Sequence, residues 1–288
     1  MMDQRTLWLS SSFAAAKFAI ALWSAQLAVS RLDRRRATLG WQIALALLAI
    51  VASWWAMTIQ TTGGTQTWWR PAWLCNAILS AAVLFDCMRR WMSTSGGDLQ
   101  AGRVHTALAW IGFFLGSIAT AVAITMRLPA DWLPRTAAVL YVVSCAGMLG
   151  ITIAASLELT LGALGPGLLS LRWPSLARWA SLCWAIQIVL SVLIILKRRA
   201  VETPLETATP FIFAFGMMIV GYIAWCIPRQ MVALSKSQTM QGQVSLAMAG
   251  WLAVICLAIA CGLPPEWPWD QLGTKSSAGL AALAVIEQ

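Results

Sequence analysis

Long apolar stretches alternate with short polar ones along the whole chain, and eight of them are long enough to cross a membrane as helices. Such a helix needs about 20 mostly apolar residues, and its backbone polar groups must pair within the segment. The strict alternation typical of barrel strands is not seen. The predicted spans are Leu7–Ser30, Leu39–Ile59, Pro71–Met88, Thr106–Met126, Ala137–Leu161, Leu176–Leu196, Phe211–Ile227 and Val244–Leu263. The sequence therefore predicts an all-α polytopic membrane bundle, forming one domain over residues 1–288.

Composition supports this class. Hydrophobic residues make up 59% of the chain and charged residues 11%, whereas soluble domains carry about 25% charged residues. A net charge of +9 would suggest nucleic acid in a soluble protein, but here the basic residues cluster at span ends, where anionic headgroups attract them. We therefore expect no nucleic-acid partner. The first span carries Lys17 and lacks a small-residue cleavage site, so we interpret it as a membrane helix rather than a signal peptide.

Lysine and arginine in short loops predict the orientation, because cytoplasmic loops carry the excess of these residues. Basic residues follow spans one, three, five and seven: Arg31, Arg34, Arg35, Arg36, Arg89, Arg90, Arg103, Arg172, Arg178, Arg229 and Lys236. These loops are predicted to be cytoplasmic, so both termini and the loop Thr61–Trp69 face outward. The basic run at residues 197–199 disagrees with this assignment.

Residues that hold metals and haem are scarce. The seven cysteines form no C-x-x-C pair, and His105 is the single histidine. An iron–sulfur cluster needs four closely spaced thiolates, and a zinc site needs three or four convergent ligands. Haem bound through His105 and a methionine is the one arrangement left open. We expect this chain to bind no metal and no cofactor of that kind, and to have no catalytic residue of its own.

Three ionisable residues fall in or near the spans, namely Lys17, Asp86 and Glu158. Charge in the hydrocarbon region usually faces a bundle interior or a cavity. Asp86 lies one turn before Arg89 and Arg90, which favours a local ion pair. Asp86 is nevertheless a candidate proton relay.

The start of span three combines aromatic rings with a cation. Trp69, Trp73 and Asn76 follow steps of four and three, which places them on one helical face, and Arg70 lies beside that face. Aromatic walls and one hydrogen-bond donor suit a quinone head group or a docking partner. Interfacial anchoring of tryptophan in the membrane is the alternative. In span four, the motif from Gly112 to Gly116 predicts close helix packing.

Two stretches resemble the membrane anchor subunits of the dimethyl sulfoxide reductase type. In the run from Trp69 to Leu79, WRPAWLCNAIL, residues 72–79 follow that family's third-helix segment, which reads as a small residue followed by W-L-S-R/N-E-I-L. The run from Met126 to Gly150 resembles the family's outer loop after helix four. The resemblance covers roughly the first 150 residues; the eight spans and outward termini also suit it.

The resemblance implies a non-catalytic anchor in the bacterial inner membrane. Its partners would be an iron–sulfur subunit and a molybdopterin catalytic subunit, whose cofactors this chain would not bind, and it would hold a quinol or quinone near the clusters. Two positions depart from the family. Ala77 replaces the glutamate of the third-helix motif, and the run from Ala56 to Gly64 lacks the family's histidine. Both departures remove groups that would accept the quinol proton.

Two other classes of membrane protein would require features that the sequence lacks. A transporter of small solutes or ions would show an internal repeat and broken helices at matching depth, and the sequence shows neither. An intramembrane enzyme would need a nucleophile and base or paired acids, and none stands out.

Overall fold

The protein is described from a computed structural model. The structure describes residues 4–30, 36–58, 66–92, 103–126, 132–164, 173–198, 204–237 and 240–262, and these contain eight α-helices and no strand. The helices are α1 Gln4–Val29, α2 Arg36–Met57, α3 Gln66–Met92, α4 Arg103–Thr125, α5 Trp132–Leu164, α6 Trp173–Arg198, α7 Pro204–Ser237 and α8 Met240–Gly262. Each has the length and apolar composition to cross a membrane. The predicted class, a polytopic helical bundle, is confirmed.

The helices extend beyond the predicted spans, most clearly in α5 and α7. Helix α5 has 33 residues and α7 has 34, which correspond to about 50 Å at 1.5 Å per residue. A hydrocarbon core is only about 30 Å thick, so the apolar pattern detects the part in lipid and misses the helical ends beyond it. Helix α3 begins at Gln66, five residues before the predicted start at Pro71, so Trp69 and Arg70 are helical.

The helices form two four-helix bundles with the same order of neighbours. In the first bundle, α1 packs on α2 and α4, and α3 packs on both of those. In the second bundle, α5 packs on α6 and α8, and α7 packs on both of those. The bundles meet mainly through α1 and α5, with smaller contacts from α1 to α8 and from α4 to α5. The order of helix neighbours is therefore the same in the two bundles, although the sequence shows no internal repeat.

Helices α1 and α5 form the centre of the molecule. In each, 83% of the membrane-spanning residues are buried, whereas the other six spans are 28–44% buried. Their interface depends on small residues, because a Cβ atom at Gly150 would lie 2.5 Å from Ser24 Cβ and 2.7 Å from the Ala25 nitrogen. Small residues allow this close backbone approach in membranes. The two bundles are therefore joined by a packed seam.

The loops that predict the orientation lie largely outside the described residues. These undescribed positions include Arg31, Arg34, Arg35, Arg172 and Arg199. The assignment of the basic side to the cytoplasm accordingly stays a prediction. Below, the basic end means the end of the first bundle where α1 and α3 finish and α2 and α4 begin.

Candidate functional site

The predicted aromatic face of α3 points into the first bundle. Trp69 is 1% exposed and Trp73 is fully buried. Their ring centroids are 5.6 Å apart, and Phe13 of α1 packs 5.5 Å from the ring of Trp69. The Trp69 indole donates a 2.9 Å hydrogen bond to the Ala56 carbonyl, near the end of α2, where the last carbonyls lack helical partners. These two rings are core residues and do not form a belt that faces lipid.

Asn76 ties all four helices of the first bundle together. Its Oδ1 accepts hydrogen bonds from the Trp23 indole of α1 and, at 3.5 Å, from the Ser53 hydroxyl of α2. Its Nδ2 donates to the Gly112 carbonyl of α4 at 3.0 Å. A fully buried amide in an apolar bundle has to satisfy its polar atoms in this way. The amide is engaged with the protein itself.

The glycines of α4 make room for this crossing. A Cβ atom at Gly112 would overlap the Trp23 ring, and one at Gly116 would lie 3.0 Å from Asn76 Nδ2. The close packing predicted from the G-x-x-x-G motif is confirmed.

Arg70 is separated from the other three predicted site residues. Its side chain is exposed, whereas Trp69, Trp73 and Asn76 are buried. A step of one residue turns a helix by about 100°, which moves Arg70 off the buried face. The structure thus brings together three of the four predicted residues and leaves the cation on the outer surface of α3.

Asp86, the candidate proton relay, forms the expected local ion pairs. Its carboxylate lies 3.5 Å from Arg89 and 3.0 Å from Arg90 Nε. Arg89 is 73% exposed, so its pairing is strongly screened by solvent. Arg90 is only 6% exposed and turns into the bundle. Asp86 itself is 22% exposed, and it stands between the protein surface and the interior.

Arg90 is the centre of a buried polar group at the basic end. We use the term Arg90 cluster for Gln26, Gln42, Asp86, Cys87, Arg90 and His105. Arg90 Nη2 lies 3.0 Å from His105 Nδ1, 3.3 Å from Gln42 Oε1 and 3.3 Å from Cys87 Sγ.

Two further contacts link His105 to Asp86 and Gln26 to Gln42 within the Arg90 cluster. His105 Nδ1 also lies 3.5 Å from Asp86 Oδ2, and Gln26 Nε2 donates to the Gln42 carbonyl at 2.6 Å. The cluster therefore draws side chains from all four helices of the first bundle.

Sequence reasoning missed most of the Arg90 cluster. The local pairing of Asp86 was expected, but the burial of His105 was not. The histidine is fully buried against α3. One available signal was the presence of glutamines at residues 26 and 42 inside apolar spans, since such residues often form hydrogen bonds between helices.

An apolar cleft of about 290 Å³ lies where the two bundles meet. We call it the bundle cleft. Helices α1 and α4 of the first bundle and α5 and α6 of the second form its walls. Its lining includes Ser24, Leu27, Trp110, Phe113, Phe114, Leu140, Val143, Ser144, Gly147, Trp179 and Cys183.

The bundle cleft has an aromatic wall and opens sideways. Trp110 and Phe114 stack with their centroids 5.4 Å apart and their planes inclined by 21°. Phe114 is 54% exposed and Trp179 is 46% exposed, and both belong to helices that span the membrane. The opening therefore faces the region that lipid would occupy.

The two hydroxyl groups that line the bundle cleft direct their protons at backbone carbonyls. The Ser24 hydroxyl donates to the Gly147 carbonyl at 3.2 Å, and the Ser144 hydroxyl donates to the Tyr141 carbonyl at 3.1 Å. A hydroxyl has one proton and two lone pairs, so both oxygens can still accept a hydrogen bond. The cleft thus suits a flat or chain-like apolar ligand that carries a hydrogen-bond donor.

Metal-binding geometry is not found in the described part of the chain. No three histidine, cysteine or acidic side chains among the described residues are grouped closely enough to hold a metal ion. The sequence was also compared with protein-family models, and the chain with curated proteins and with solved structures; none of the three comparisons gives a match.

Proposed function

We propose that this chain is a non-catalytic membrane anchor subunit of a multi-subunit molybdenum and iron–sulfur oxidoreductase, located in the bacterial inner membrane, and that it holds a quinol or quinone in the bundle cleft. The observation that carries the proposal is the cleft itself. It is apolar, has an aromatic wall and opens toward lipid, which is the phase that supplies a quinone. The resemblance in residues 69–79 to the third-helix segment of such anchors supplies the class of complex.

The hydrogen bonding of the cleft favours the reduced ligand. A quinol hydroxyl can donate to the lone pairs of Ser24 or Ser144, whose own protons are held by backbone carbonyls. A quinone has only acceptor oxygens and cannot pair with the lone pairs of these two hydroxyls. We therefore propose that quinol binds in preference to quinone, consistent with electrons leaving the membrane for the partner subunits.

Arg70 is proposed as a docking residue rather than a ligand for quinone. It is exposed at the beginning of α3, where a guanidinium can pair with a carboxylate of a partner. Its neighbours Trp69, Trp73 and Asn76 would position α3 from within the first bundle.

A transporter remains the second candidate, and the repeated order of helix neighbours favours it. Many transporters are built from two related halves, with the substrate site at midmembrane between them. Here the seam between the halves is closed by Gly150 against α1, and the nearby cleft is apolar. A water-soluble solute would have to be desolvated to enter such a cleft, so we favour the anchor.

Purification from the native membrane separates the two candidates. The tagged chain is extracted in mild detergent, and the co-purifying proteins are identified by mass spectrometry and metal analysis. An anchor brings larger subunits that contain molybdenum and iron, whereas recovery of the chain alone or as a homo-oligomer would overturn the proposal. Arg70→Ala should release these subunits, and Arg89→Ala, an exposed arginine at the other end of α3, should retain them.

Ligand content tests the bundle cleft. We expect Val143→Trp, which fills the cleft, to lower the quinone extracted per chain several-fold. Val189→Trp introduces the same bulk on α6 at a residue that is 58% exposed and outside the cleft lining, so the quinone content should stay at the wild-type level. Equal quinone in both variants would remove the cleft from the proposal and leave the anchor role standing.

A further inference from the structure

Four buried polar atoms of the Arg90 cluster have no hydrogen-bond partner among the described residues. They are Gln26 Oε1, Asp86 Oδ2, Arg90 Nη1 and His105 Nε2. Asp86 Oδ2 lies within ion-pair distance of Arg90 Nε, but that N–H is directed at the Asp86 backbone carbonyl, 3.3 Å away. Unpaired polar atoms are costly inside a membrane protein, where bulk water does not reach them.

The protonation of His105 follows from its neighbour. Arg90 Nη2 always carries protons and lies 3.0 Å from His105 Nδ1, so Nδ1 must present its lone pair. In the neutral imidazole the proton then resides on Nε2, which makes that atom a buried donor. The cluster consequently contains two donors without a hydrogen bond, on Arg90 and His105, and two acceptors without one, on Gln26 and Asp86, of which Asp86 Oδ2 is ion-paired with Arg90.

The presence of both donors and acceptors limits the kind of ligand that satisfies these atoms. An anion would satisfy the donors but would be repelled by the Asp86 carboxylate. A cation would satisfy the acceptors but would be repelled by Arg90. Water donates two hydrogen bonds and accepts two, and buried waters typically make about three bonds to groups of this kind.

We propose that the Arg90 cluster binds internal water, and that Asp86 connects this water to the solvent at the basic end of the first bundle. Asp86 is the member of the Arg90 cluster that is partly exposed, at 22%, while Gln26, Gln42, Arg90 and His105 are each at most 6% exposed. Among the side chains that the structure describes at this end, the charged ones are Asp86, Arg89 and Arg90 on α3 and the exposed Arg103 on α4. The side chains of α1 and α2 that belong to the Arg90 cluster are neutral glutamines. Water is therefore held among both signs of charge.

The water site would provide a route for protons from the interior of the first bundle to the aqueous phase. Leu27 lines the bundle cleft and belongs to the same packed group of side chains as Cys87, so the cleft and the Arg90 cluster lie on the same side of the first bundle's core. Water at the cluster accepts a proton from the membrane interior and passes one to the Asp86 carboxylate, which releases it to the aqueous phase and returns to its ionised form. That role rests on the proposed function, because quinol oxidation is the step that releases protons. The presence of water at the Arg90 cluster does not depend on the proposed function.

The single histidine makes a direct test of hydration feasible. The full chain is labelled with ¹⁵N and ¹³C in histidine only, reconstituted in lipid vesicles and studied by solid-state NMR, so that every signal comes from His105. We expect ¹⁵N shifts of a neutral ring protonated on Nε2, and rapid transfer of magnetisation from water protons to that ring. A ring protonated on Nδ1, or a ring that receives nothing from water, would overturn the proposal.

Two substitutions localise the effect. Gln26→Leu removes one of the four unpaired atoms and should slow the transfer from water to His105 several-fold. Ser117→Ala removes an unpaired buried hydroxyl on α4 outside the cluster and should leave the transfer unchanged. Equal transfer in both variants would contradict the site, and if Gln26→Leu does not fold, the wild-type measurement decides. The result is independent of partner subunits, so its failure and that of the anchor proposal are distinguishable.

Discussion

The two bundles share an order of packing but bury their polar groups in opposite ways. In the first bundle, Asn76 and Arg90 reach across to neighbouring helices. In α5, the central helix of the second bundle, the buried hydroxyls bond back to their own helix, as Thr152 does to the Met148 carbonyl and Ser156 to the Thr152 carbonyl. A bond within a helix satisfies a polar atom without fixing a neighbour, whereas a bond between helices also fixes position and register.

Bonds between helices also occur in the second bundle, mostly at its periphery; a buried one is the weak bond from the Tyr141 hydroxyl of α5 to Met217 Sδ of α7 at 3.9 Å. The Trp225 indole donates to Ser181 at 2.7 Å, and Trp251 donates to Thr160 at 3.1 Å, in both cases from partly or largely exposed residues. Its interior is instead closed by small residues, since a Cβ atom at Gly250 would overlap the Ser156 hydroxyl. Polar bonds between helices therefore fix the helix positions in the first bundle, whereas close packing of small residues holds the second bundle together.

The largest expected difference concerns one arginine in each bundle. Arg90→Gln removes a buried cation from contact with Asp86, Gln42 and His105, and we expect a loss of about 3 kcal/mol in the free energy of unfolding. Arg229 lies exposed over the Trp225 ring at 4.5 Å, so Arg229→Gln should cost only about 0.5–1 kcal/mol. Denaturant unfolding in mixed micelles measures both, and equal losses would break the distinction between the bundles.

An intermediate effect is expected for the polar ties in the two interiors. Asn76→Leu removes hydrogen bonds to three other helices and leaves the Trp23 indole unpaired, which should cost about 2 kcal/mol. Thr152→Val keeps the side-chain shape and removes one bond within α5, so the cost should stay below about 0.5 kcal/mol. A large loss for Thr152→Val would mean that the second bundle also depends on specific polar contacts.

These contrasts mark the limit of what the sequence could predict. Hydropathy predicted all eight spans, because a helix in lipid has to be apolar along its whole length. The spacing of Trp69, Trp73 and Asn76 correctly placed them on one face. The direction of that face could not be derived, because tryptophan suits both a lipid interface and a core.

Contacts between helices could not be predicted from the sequence for a different reason. Asp86 and Arg90 lie one turn apart, so their pairing was visible. The meeting of Arg90 with His105 depends on how α3 and α4 are aligned, and the bundle cleft needs four helices in place. Neither the contact between Arg90 and His105 nor the bundle cleft produces a periodic pattern within one segment of the chain, so neither could be predicted from such a pattern.

The smallest expected difference uses the same substitution in both bundles. Trp69→Phe removes the bond to the Ala56 carbonyl, and both residues are buried away from bulk water, Trp69 at 1% exposure. The smaller ring also loosens the contacts with Phe13 and Trp73, and together these changes should cost about 1–2 kcal/mol.

Trp225→Phe removes the bond to Ser181 but keeps an aromatic ring against Trp184, whose centroid lies 4.6 Å away. Trp225 is only partly buried, so headgroups and interfacial water can take over the Ser181 hydroxyl, and the cost should be about 0.5 kcal/mol. The two variants are compared by unfolding in the same micelles. If Trp225→Phe proved the more damaging, the aromatic contacts between α6 and α7, rather than the buried polar ties of the first bundle, would be the stronger determinant of helix position.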